Sequence, residues 1–144
     1  MPKVQILPCQ PTDVPDVVTF WYHCTCQHQA FIRQQYWCEI TPHITDLLLQ
    51  HYQNSLIAVA NNRLVGFITA IDKELAALFV DSGIQRTGIG SALLQHMAQQ
   101  TKLNLVKVYA LNGSAIAFYH RHGFREVSRQ LQPETNQLLI TMQR

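Results

Sequence analysis

The chain lacks the compositional extremes of membrane, fibrous or nucleic-acid-binding proteins. Charged residues make up only 14% of its 144 residues, and no apolar run approaches the roughly 20 residues that cross a bilayer. The eleven basic and nine acidic residues are scattered, so they form no broad positive surface for a phosphate backbone. No repeat, low-complexity tract or glycine- and serine-rich linker divides the chain. These absences predict one soluble globular domain, residues 1–144, that binds neither membrane nor nucleic acid.

A secretory signal and a set of metal ligands are also missing. The segment 1–8 is short and contains two prolines, so we expect a cytoplasmic protein whose cysteines stay reduced. His23, Cys24, Cys26 and His28 lie within six residues, but the two cysteines point away from each other on the predicted helix. No second pair of ligands follows nearby. The sequence therefore predicts no metal site.

Apolar periodicity predicts a domain in which strands and helices are mixed. The predicted strands cover 4–7, 55–60, 64–71, 75–80, 103–110, 124–131 and 137–142. The predicted helices begin at Pro11, cover 29–39, run from Thr41 to His51, cover 88–101, and run from Asn112 to Gly123. Asn61 and Asn62 tolerate the positive φ of a hairpin turn. The helix over 88–101 is a crossover, so the strands that flank it should run parallel.

A glycine loop between an apolar strand and a helix is the first chemical motif. Leu78-Phe79-Val80 leads into Gln85-Arg86-Thr87-Gly88-Ile89-Gly90-Ser91. Gly88 and Gly90 let successive backbone amides turn toward one anion, and the helix that begins there directs its positive end at the same point. Leu93 stands where a Rossmann loop needs its third glycine, and the Gly-Lys-Ser/Thr of a Walker loop is absent. The loop therefore indicates a different phosphate ligand, unless it is only a tight connection.

A second motif lies downstream and has the sequence Asn112-Gly113-Ser114-Ala115-Ile116-Ala117-Phe118-Tyr119-His120-Arg121-His122-Gly123-Phe124. An asparagine three residues before an alanine, then Phe-Tyr and Gly-Phe, all after Gln-x-x-Gly-x-Gly, resemble the motifs of the GCN5-related N-acetyltransferases (GNAT family). The predicted element order β-α-α-β-β-β-α-β-α-β-β is similar to that family's fold over nearly the whole chain. The resemblance implies an α/β domain of the α+β type, the acyl-CoA N-acyltransferase fold, with a mixed central sheet flanked by helices.

The resemblance implies that acetyl-CoA is the cosubstrate and that no metal is required. The strand at Leu78, Phe79 and Val80 would splay from its parallel neighbour and present backbone groups to the pantetheine. The pyrophosphate would lie against Gln85, Arg86, Thr87, Gly88, Ile89, Gly90 and Ser91. Asn112 would cap its helix and order the cofactor arm, and either Arg121 or Arg125 would meet the 3′-phosphate. His120 and His122 flank Arg121 beside this motif, where their charge could respond to pH, although histidines on a helix surface are the more common case.

Tyr119 is the catalytic residue that the resemblance implies, as the proton donor to the departing thiolate. A thiol has a pKa of about 8.5 and a phenol one of about 10, so a neighbouring phenol stabilises the thiolate as it leaves. The alternative is that Tyr119 is only a core aromatic residue with a satisfied hydroxyl.

The general base and the acceptor groove are less defined. Glu74 shares the period-2 alternation of Leu78, but it is equally a solvated residue at a strand end, and Ala76 and Ala77 stand where some family members place a glutamate. The sequence leaves the general base open among Glu74, Glu39 and water. The segment 31–37 looks like that of small bacterial members, some of which acetylate protein lysines. The candidate groove residues are His28, Tyr36, Trp37 and Glu39, although aromatic residues on amphipathic helices often serve only packing.

We therefore expect an acetyl-CoA-dependent N-acetyltransferase that acts on a primary amine, with a protein lysine as one possibility. A small-molecule acetyltransferase for a polyamine, an amino acid or an antibiotic is the alternative within enzymes. A CoA-binding sensor without turnover is the alternative outside them. The sequence leaves open whether the protein is a monomer or a homodimer.

Overall fold

The computed structural model describes residues 3–84 and 87–144. Within them, seven strands form one mixed sheet in the order β1-β2-β3-β4-β5-β7-β6. Their bounds are β1 Val4–Pro8, β2 Ser55–Ala60, β3 Arg63–Ile71, β4 Glu74–Val80, β5 Leu105–Tyr109, β6 Arg125–Gln132 and β7 Gln137–Gln143. The α-helices are α1 Val14–His28, α2 Gln34–His51, α3 Ile89–Gln100 and α4 Gly113–Arg121. The mixed sheet and the element order confirm the predicted fold class.

Side chains on the two faces of the sheet enter two separate cores. Adjacent residues of a strand point to opposite faces, so on β3 Ile68 joins the core under α3 and α4, and Phe67 joins the core under α1 and α2. Phe67 meets Phe20 of α1 edge to face, with ring centroids 6.1 Å apart. Trp21 of α1 meets Trp37 of α2 in the same way at 6.0 Å. The sheet is therefore a middle layer, with one helical pair on each side.

Helix α2 differs from the prediction of two separate helices that meet at Thr41 and Pro42. It is continuous from Gln34 to His51, with Pro42 in its interior. The proline removes the backbone donor that would pair with the Cys38 carbonyl oxygen. The neighbouring Thr41 hydroxyl donates to the carbonyl oxygen of Trp37 at 2.8 Å. Trp37 and Leu48 are buried on either side of Pro42. Tertiary burial of both halves therefore keeps the helix intact through a residue that normally ends one.

The predicted turns are confirmed. Asn61 and Asn62 adopt φ values of 53° and 59° between β2 and β3, as a tight hairpin requires. Gly123 has φ 91° just after α4, the left-handed conformation that ends many helices. Asn112 caps the start of α4, because its Oδ1 accepts a hydrogen bond from the Ala115 amide at 3.3 Å.

Strands β4 and β5 run parallel, as predicted, and then separate. They pair only at Glu74 with Leu105 and at Leu75 with Val106. A β-bulge leaves Ala76 without a partner on β3, since Thr69 pairs with Ala77 and Ala70 with Leu75. Ala76 is exposed although β4 is a central strand. The divergence therefore opens a cleft in the middle of the sheet.

The bulge also corrects the predicted alternation along β4. Leu75 and Leu78 both pack toward α3 and α4, whereas Phe79 packs toward α1 and α2. Glu74 precedes Leu75 by one residue and so does not share a face with Leu78.

No helix within 3–84 or 87–144 combines the length and the apolar character that crossing a membrane requires.

Candidate active site

The first turn of α3 presents backbone amides that could hold an anion. Gly88 is the N-cap with φ 89°, and no side chain of the described residues caps the helix. The first intrahelical hydrogen bond runs from the Ala92 amide to the Gly88 carbonyl oxygen at 2.9 Å. The amides of Ile89, Gly90 and Ser91 therefore precede that bond and lie at the positive end of the helix. Such an end binds phosphate well.

The two glycines of the loop have different structural reasons. A Cβ atom on Gly88 would meet no atom of the described residues within 4 Å, so its positive φ, and not close packing, is what favours glycine there. A Cβ atom on Gly90 would lie 3.3 Å from the Phe118 ring and 3.7 Å from Val80. Gly90 therefore permits α3 to approach α4 and β4 closely. The Thr87 hydroxyl donates to the Ile84 carbonyl oxygen at 2.6 Å, and the predicted ligands Gln85 and Arg86 lie outside the described residues.

The predicted pantetheine strand lies beside the cleft. Leu78, Phe79 and Val80 are half-buried, and the β4–β5 ladder has already ended at Leu75. Leu78 and Val80 pack toward α3 and α4, whereas the Phe79 ring stacks on Phe67 at 5.7 Å. The strand therefore presents its edge to the cleft, with apolar side chains above and below it.

Tyr119 lies in the core on the α3 and α4 side, with 6% of its surface exposed. Its ring meets Phe118 and Phe124 edge to face, with centroids 5.2 Å and 5.7 Å away. No described residue forms a hydrogen bond with its hydroxyl. Burial raises the pKa of the Tyr119 phenol above its ordinary value, so the group stays protonated across the physiological range. The position offers a neutral hydrogen-bond donor in an apolar setting.

A cavity of about 470 Å³ lies between the start of α2 and the β6–β7 turn. It is lined by Phe31, Ile32, Arg33, Gln35, Tyr36, Glu39, Pro133, Glu134, Thr135 and Asn136. Tyr36 and Glu39 therefore line it, as predicted for the acceptor groove. Trp37 does not, since it is 4% exposed and packs between Trp21 and Tyr109, and His28 is not a lining residue either. Sequence reasoning missed the turn residues 133–136 because they are remote along the chain.

Tyr109, at the end of β5, ties the walls of this cavity together. Its hydroxyl donates to Gln132 Oε1 at 2.8 Å, and the Thr135 hydroxyl donates to the same oxygen at 2.6 Å. Its ring meets Phe31 edge to face at 5.8 Å. Burial, and then the neighbouring Tyr36, raise the pKa of Tyr109 to about 12. The phenol is therefore a fixed neutral donor that links β5, the hairpin and the α1–α2 connection.

The charges of the cavity favour a cationic guest. Glu39 and Glu134 contribute two carboxylates and Arg33 one guanidinium. The ion pairs within the part of the chain that the structure describes join Arg63 to Asp81 and Arg129 to Glu126, and none involves the cavity. Burial and then Glu134 raise the pKa of Tyr36. The cavity thus holds a net excess of one negative charge, without an ion pair to neutralise it.

The candidate bases occupy different places. Glu74 lies where β4 and β5 are still paired, at the opposite end of β4 from the divergence. Glu39 lines the cavity and accepts a hydrogen bond from Gln35 Nε2 at 3.0 Å.

Among residues 3–84 and 87–144, no three His, Cys, Asp or Glu side chains gather closely enough to hold a metal ion. Cys24 is buried in α1, and burial raises its pKa to about 12.

One contact near the glycine loop was missed by the sequence reasoning. His122, assigned above to the surface, is half-buried and lies 2.9 Å from the Ser91 hydroxyl through its Nε2. Asn112 holds its predicted capping position, and its predicted effect on the cofactor arm stays a prediction. The structure therefore places an imidazole next to the first turn of α3.

The sequence of this chain is similar to those of known acetyltransferases. The family model described as "Acetyltransferase (GNAT) domain" matches residues 51–126. The peptidyl-lysine N-acetyltransferase YiaC of Escherichia coli K12 is 33% identical over 127 residues, which cover 88% of this chain and 86% of that protein. The peptidyl-lysine N-acetyltransferase YjaB of the same strain is 25% identical over 117 residues, or 79% of this chain and 77% of YjaB.

Solved structures share the fold over nearly their whole length. The solution structure of apo-form YjaB from Escherichia coli has a TM-score of 0.82 at 21% identity and covers 98% of this chain and 97% of YjaB. The PaiA N-acetyltransferase of Thermoplasma acidophilum, crystallised in complex with coenzyme A, has a TM-score of 0.76 at 18% identity, covering 99% of both chains. At these identities the likeness concerns the fold.

Proposed function

The chain belongs to the GNAT family of acetyl-CoA-dependent N-acetyltransferases, and from that premise we propose that its acceptor is the ε-amine of a protein lysine. The observation that carries the proposal is the cavity of about 470 Å³ at the start of α2, where the carboxylates of Glu39 and Glu134 outnumber the Arg33 guanidinium and form no ion pair among the described residues. Two relatives named as peptidyl-lysine N-acetyltransferases support the same acceptor.

The cofactor site follows from the backbone. We assign the pyrophosphate to the amides of Ile89, Gly90 and Ser91, because they lie at a helix start that no described side chain caps and no described atom lies within 4 Å of a Cβ built on Gly88. Gln85, Arg86 and Thr87 complete the loop by family resemblance. Leu78, Phe79 and Val80 border the cleft for the pantetheine arm, and Asn112 orders the neighbouring helix.

Acetyl-CoA supplies an activated acyl group when bound, so the protein needs only to position the substrates, polarise the carbonyl and provide a proton donor. Backbone amides of the splayed β4 strand polarise the acyl carbonyl. The neutral lysine nitrogen forms the new C–N bond as the C–S bond breaks, and the sulfur takes the proton of the Tyr119 hydroxyl. The nitrogen releases one proton as it becomes an amide, and that proton restores the Tyr119 phenol. The buried Tyr119 phenol holds that proton at every physiological pH. Direct attack needs only that both substrates be held together.

The ammonium group of the acceptor must lose a proton before it attacks. Glu39 and Glu134 attract the cation into the cavity, and the proton leaves through Glu39 or water. Glu74 does not take this role in our proposal, because it lies where β4 and β5 are still paired.

Thiol release from acetyl-CoA tests the proposal. We would compare lysine peptides with polyamines, free amino acids and aminoglycosides at equal concentration, and locate the acetyl group on any peptide product by mass spectrometry. We expect acetylation at the lysine side chain with the highest kcat/KM among the acceptors. Thiol release with small amines alone would show that the acceptor is a small molecule and not a protein lysine. Cofactor binding without release for any acceptor would favour a CoA-binding sensor.

A further inference from the structure

A hydrogen bond joins the first turn of α3 to the end of α4. His122 Nε2 and the Ser91 hydroxyl are 2.9 Å apart, and Ser91 is the third residue of α3. The His122 ring lies against the Phe118 ring, with centroids 4.6 Å apart and planes tilted by 42°. Phe118 is also the ring that Gly90 approaches. The imidazole and the first turn of α3 are thus parts of one packed unit.

The backbone of His122 is held from a third element. Arg144, which follows β7, donates from Nη1 to the His122 carbonyl oxygen at 3.0 Å and from Nε to the Leu103 carbonyl oxygen at 3.0 Å. Its guanidinium lies over the Phe124 ring, 4.7 Å from the centroid. His122 is therefore anchored at both its main chain and its ring. By covalent geometry, its Nε2 lies within about 7 Å of the Ser91 amide nitrogen.

The charges around His122 favour the neutral ring when no anion is bound. Burial lowers the pKa of His122 from its ordinary value, and Arg144 and Arg121 lower it further. α3 contributes only the neutral Ser91 to this contact. An anion at the first turn of α3 brings opposite charge to the same place and favours the protonated ring.

We propose that His122 is a positioning residue of the pyrophosphate site, which takes up a proton when CoA binds and holds Ser91 and the first turn of α3 against the phosphates. The proposal rests on the proposed placement of the pyrophosphate on Ile89, Gly90 and Ser91. Because the ring is more basic in the complex than in the free protein, affinity rises as pH falls from the pKa of the complex to that of the free protein, and is constant outside that window.

The experiment is calorimetric titration with dephospho-CoA, which keeps the pyrophosphate and lacks the titrating 3′-phosphate. Repeating the titration at pH 7 in buffers of different ionisation enthalpy gives the number of protons taken up. We expect net uptake by the wild type and none by His122→Gln, whose side-chain amide still reaches Ser91. The wild type should bind about 3- to 10-fold more tightly at pH 6 than at pH 8, and the variant equally at both. His120→Gln, an exposed change on the same helix, should behave as the wild type.

Ser91→Ala provides a second variant that keeps the imidazole and breaks the hydrogen bond. It should bind dephospho-CoA more weakly and still take up the proton. Equal proton uptake by the wild type and His122→Gln would overturn the role of His122 and leave the cofactor site standing. Failure of the wild type to bind dephospho-CoA would overturn the placement of the pyrophosphate and this proposal together.

Discussion

At Tyr119, burial and the proposed chemistry act in the same direction. The ring sits among Phe118 and Phe124, which removes water and raises the phenol's pKa. A sulfur anion that forms beside it finds a neutral donor in a medium that strengthens hydrogen bonds. The core role and the donor role that the sequence presented as alternatives are thus compatible, because the core location is what keeps the proton on the oxygen.

Tyr119→Phe should lower kcat about 100-fold and change the free energy of unfolding by less than about 1 kcal/mol, since the hydroxyl bonds no described residue. The measurement is thiol release at saturating acetyl-CoA, together with urea unfolding. Tyr52→Phe, on the opposite face of the sheet, is the matched control. In the wild type, no alkaline loss of rate should arise from Tyr119 below about pH 10, because its pKa is raised above that value. An unchanged kcat would remove Tyr119 from the mechanism.

Glu134→Gln should raise KM for a lysine peptide about 3- to 10-fold and leave kcat nearly unchanged, because an exposed carboxylate attracts the cation without touching the reacting atoms. Steady-state kinetics at low salt measure the effect, which should shrink in 0.5 M salt if it is electrostatic, as expected from a Debye length of only a few ångström near that concentration. Asp46→Asn, exposed on α2 outside the cavity, is the matched control. An equal KM for both variants would contradict the acceptor role of the cavity.

Among the elements, α2 shows tertiary packing prevailing over a local signal. Thr41 and Pro42 read locally as a helix start, since proline fits the first turn and lacks a donor. The actual helix begins at Gln34 and buries Trp37 before the proline and Leu48 after it. The apolar area buried by these two side chains favours continuity by more than the lost hydrogen bond opposes it.

Pro42→Ala should therefore stabilise the protein by about 1–3 kcal/mol, because alanine restores the donor for the Cys38 carbonyl and Pro42 is exposed. Pro15→Ala is the matched control, an exposed proline in the first turn of α1, where no intrahelical donor is needed, and should shift stability by less than about 1 kcal/mol. Urea unfolding compares the two. Equal effects would show that Pro42 places no strain on α2.

At the scale of the whole molecule, the parts of the proposed site lie in different places around one sheet. The side covered by α3 and α4 carries the first turn of α3, Tyr119 and His122, and the cavity opens between the start of α2 and the β6–β7 turn. The cleft between β4 and β5 begins where the strands lose their pairing after Leu75. In the proposed function, the cofactor binds at the first turn of α3 and the acceptor binds at the start of α2.

Acetyl-CoA should stabilise the native state by bridging this cleft. At 100 times its Kd, the ligand contributes about 2.7 kcal/mol, which corresponds to a rise in Tm of about 5–10 °C for a domain of this size. Hydrogen exchange should slow at 76–80 and 87–91 and stay unchanged at the turn 133–136. Protection of the turn without protection at 87–91 would place the cofactor in the cavity instead.

Local features were readable from the sequence because their causes are local. Asn61, Asn62 and Gly123 adopt the positive φ values that asparagine and glycine tolerate. Asn112 caps α4 by accepting a hydrogen bond from the backbone amide of Ala115, three residues later. The order of strands and helices follows from apolar periods, and the glycine loop from the steric freedom of Gly88. The family resemblance follows from the spacing of two such motifs.

Only the tertiary structure decided which distant residues meet. It brought Glu134 of the β6–β7 turn to Glu39 of α2, Ser91 to His122, and both halves of α2 into one helix. It also placed the bulge at Ala76 that ends the alternation along β4 and opens the sheet. The physical reason is that these contacts depend on strand register and on burial against other elements, which pair residues without regard to their separation along the chain.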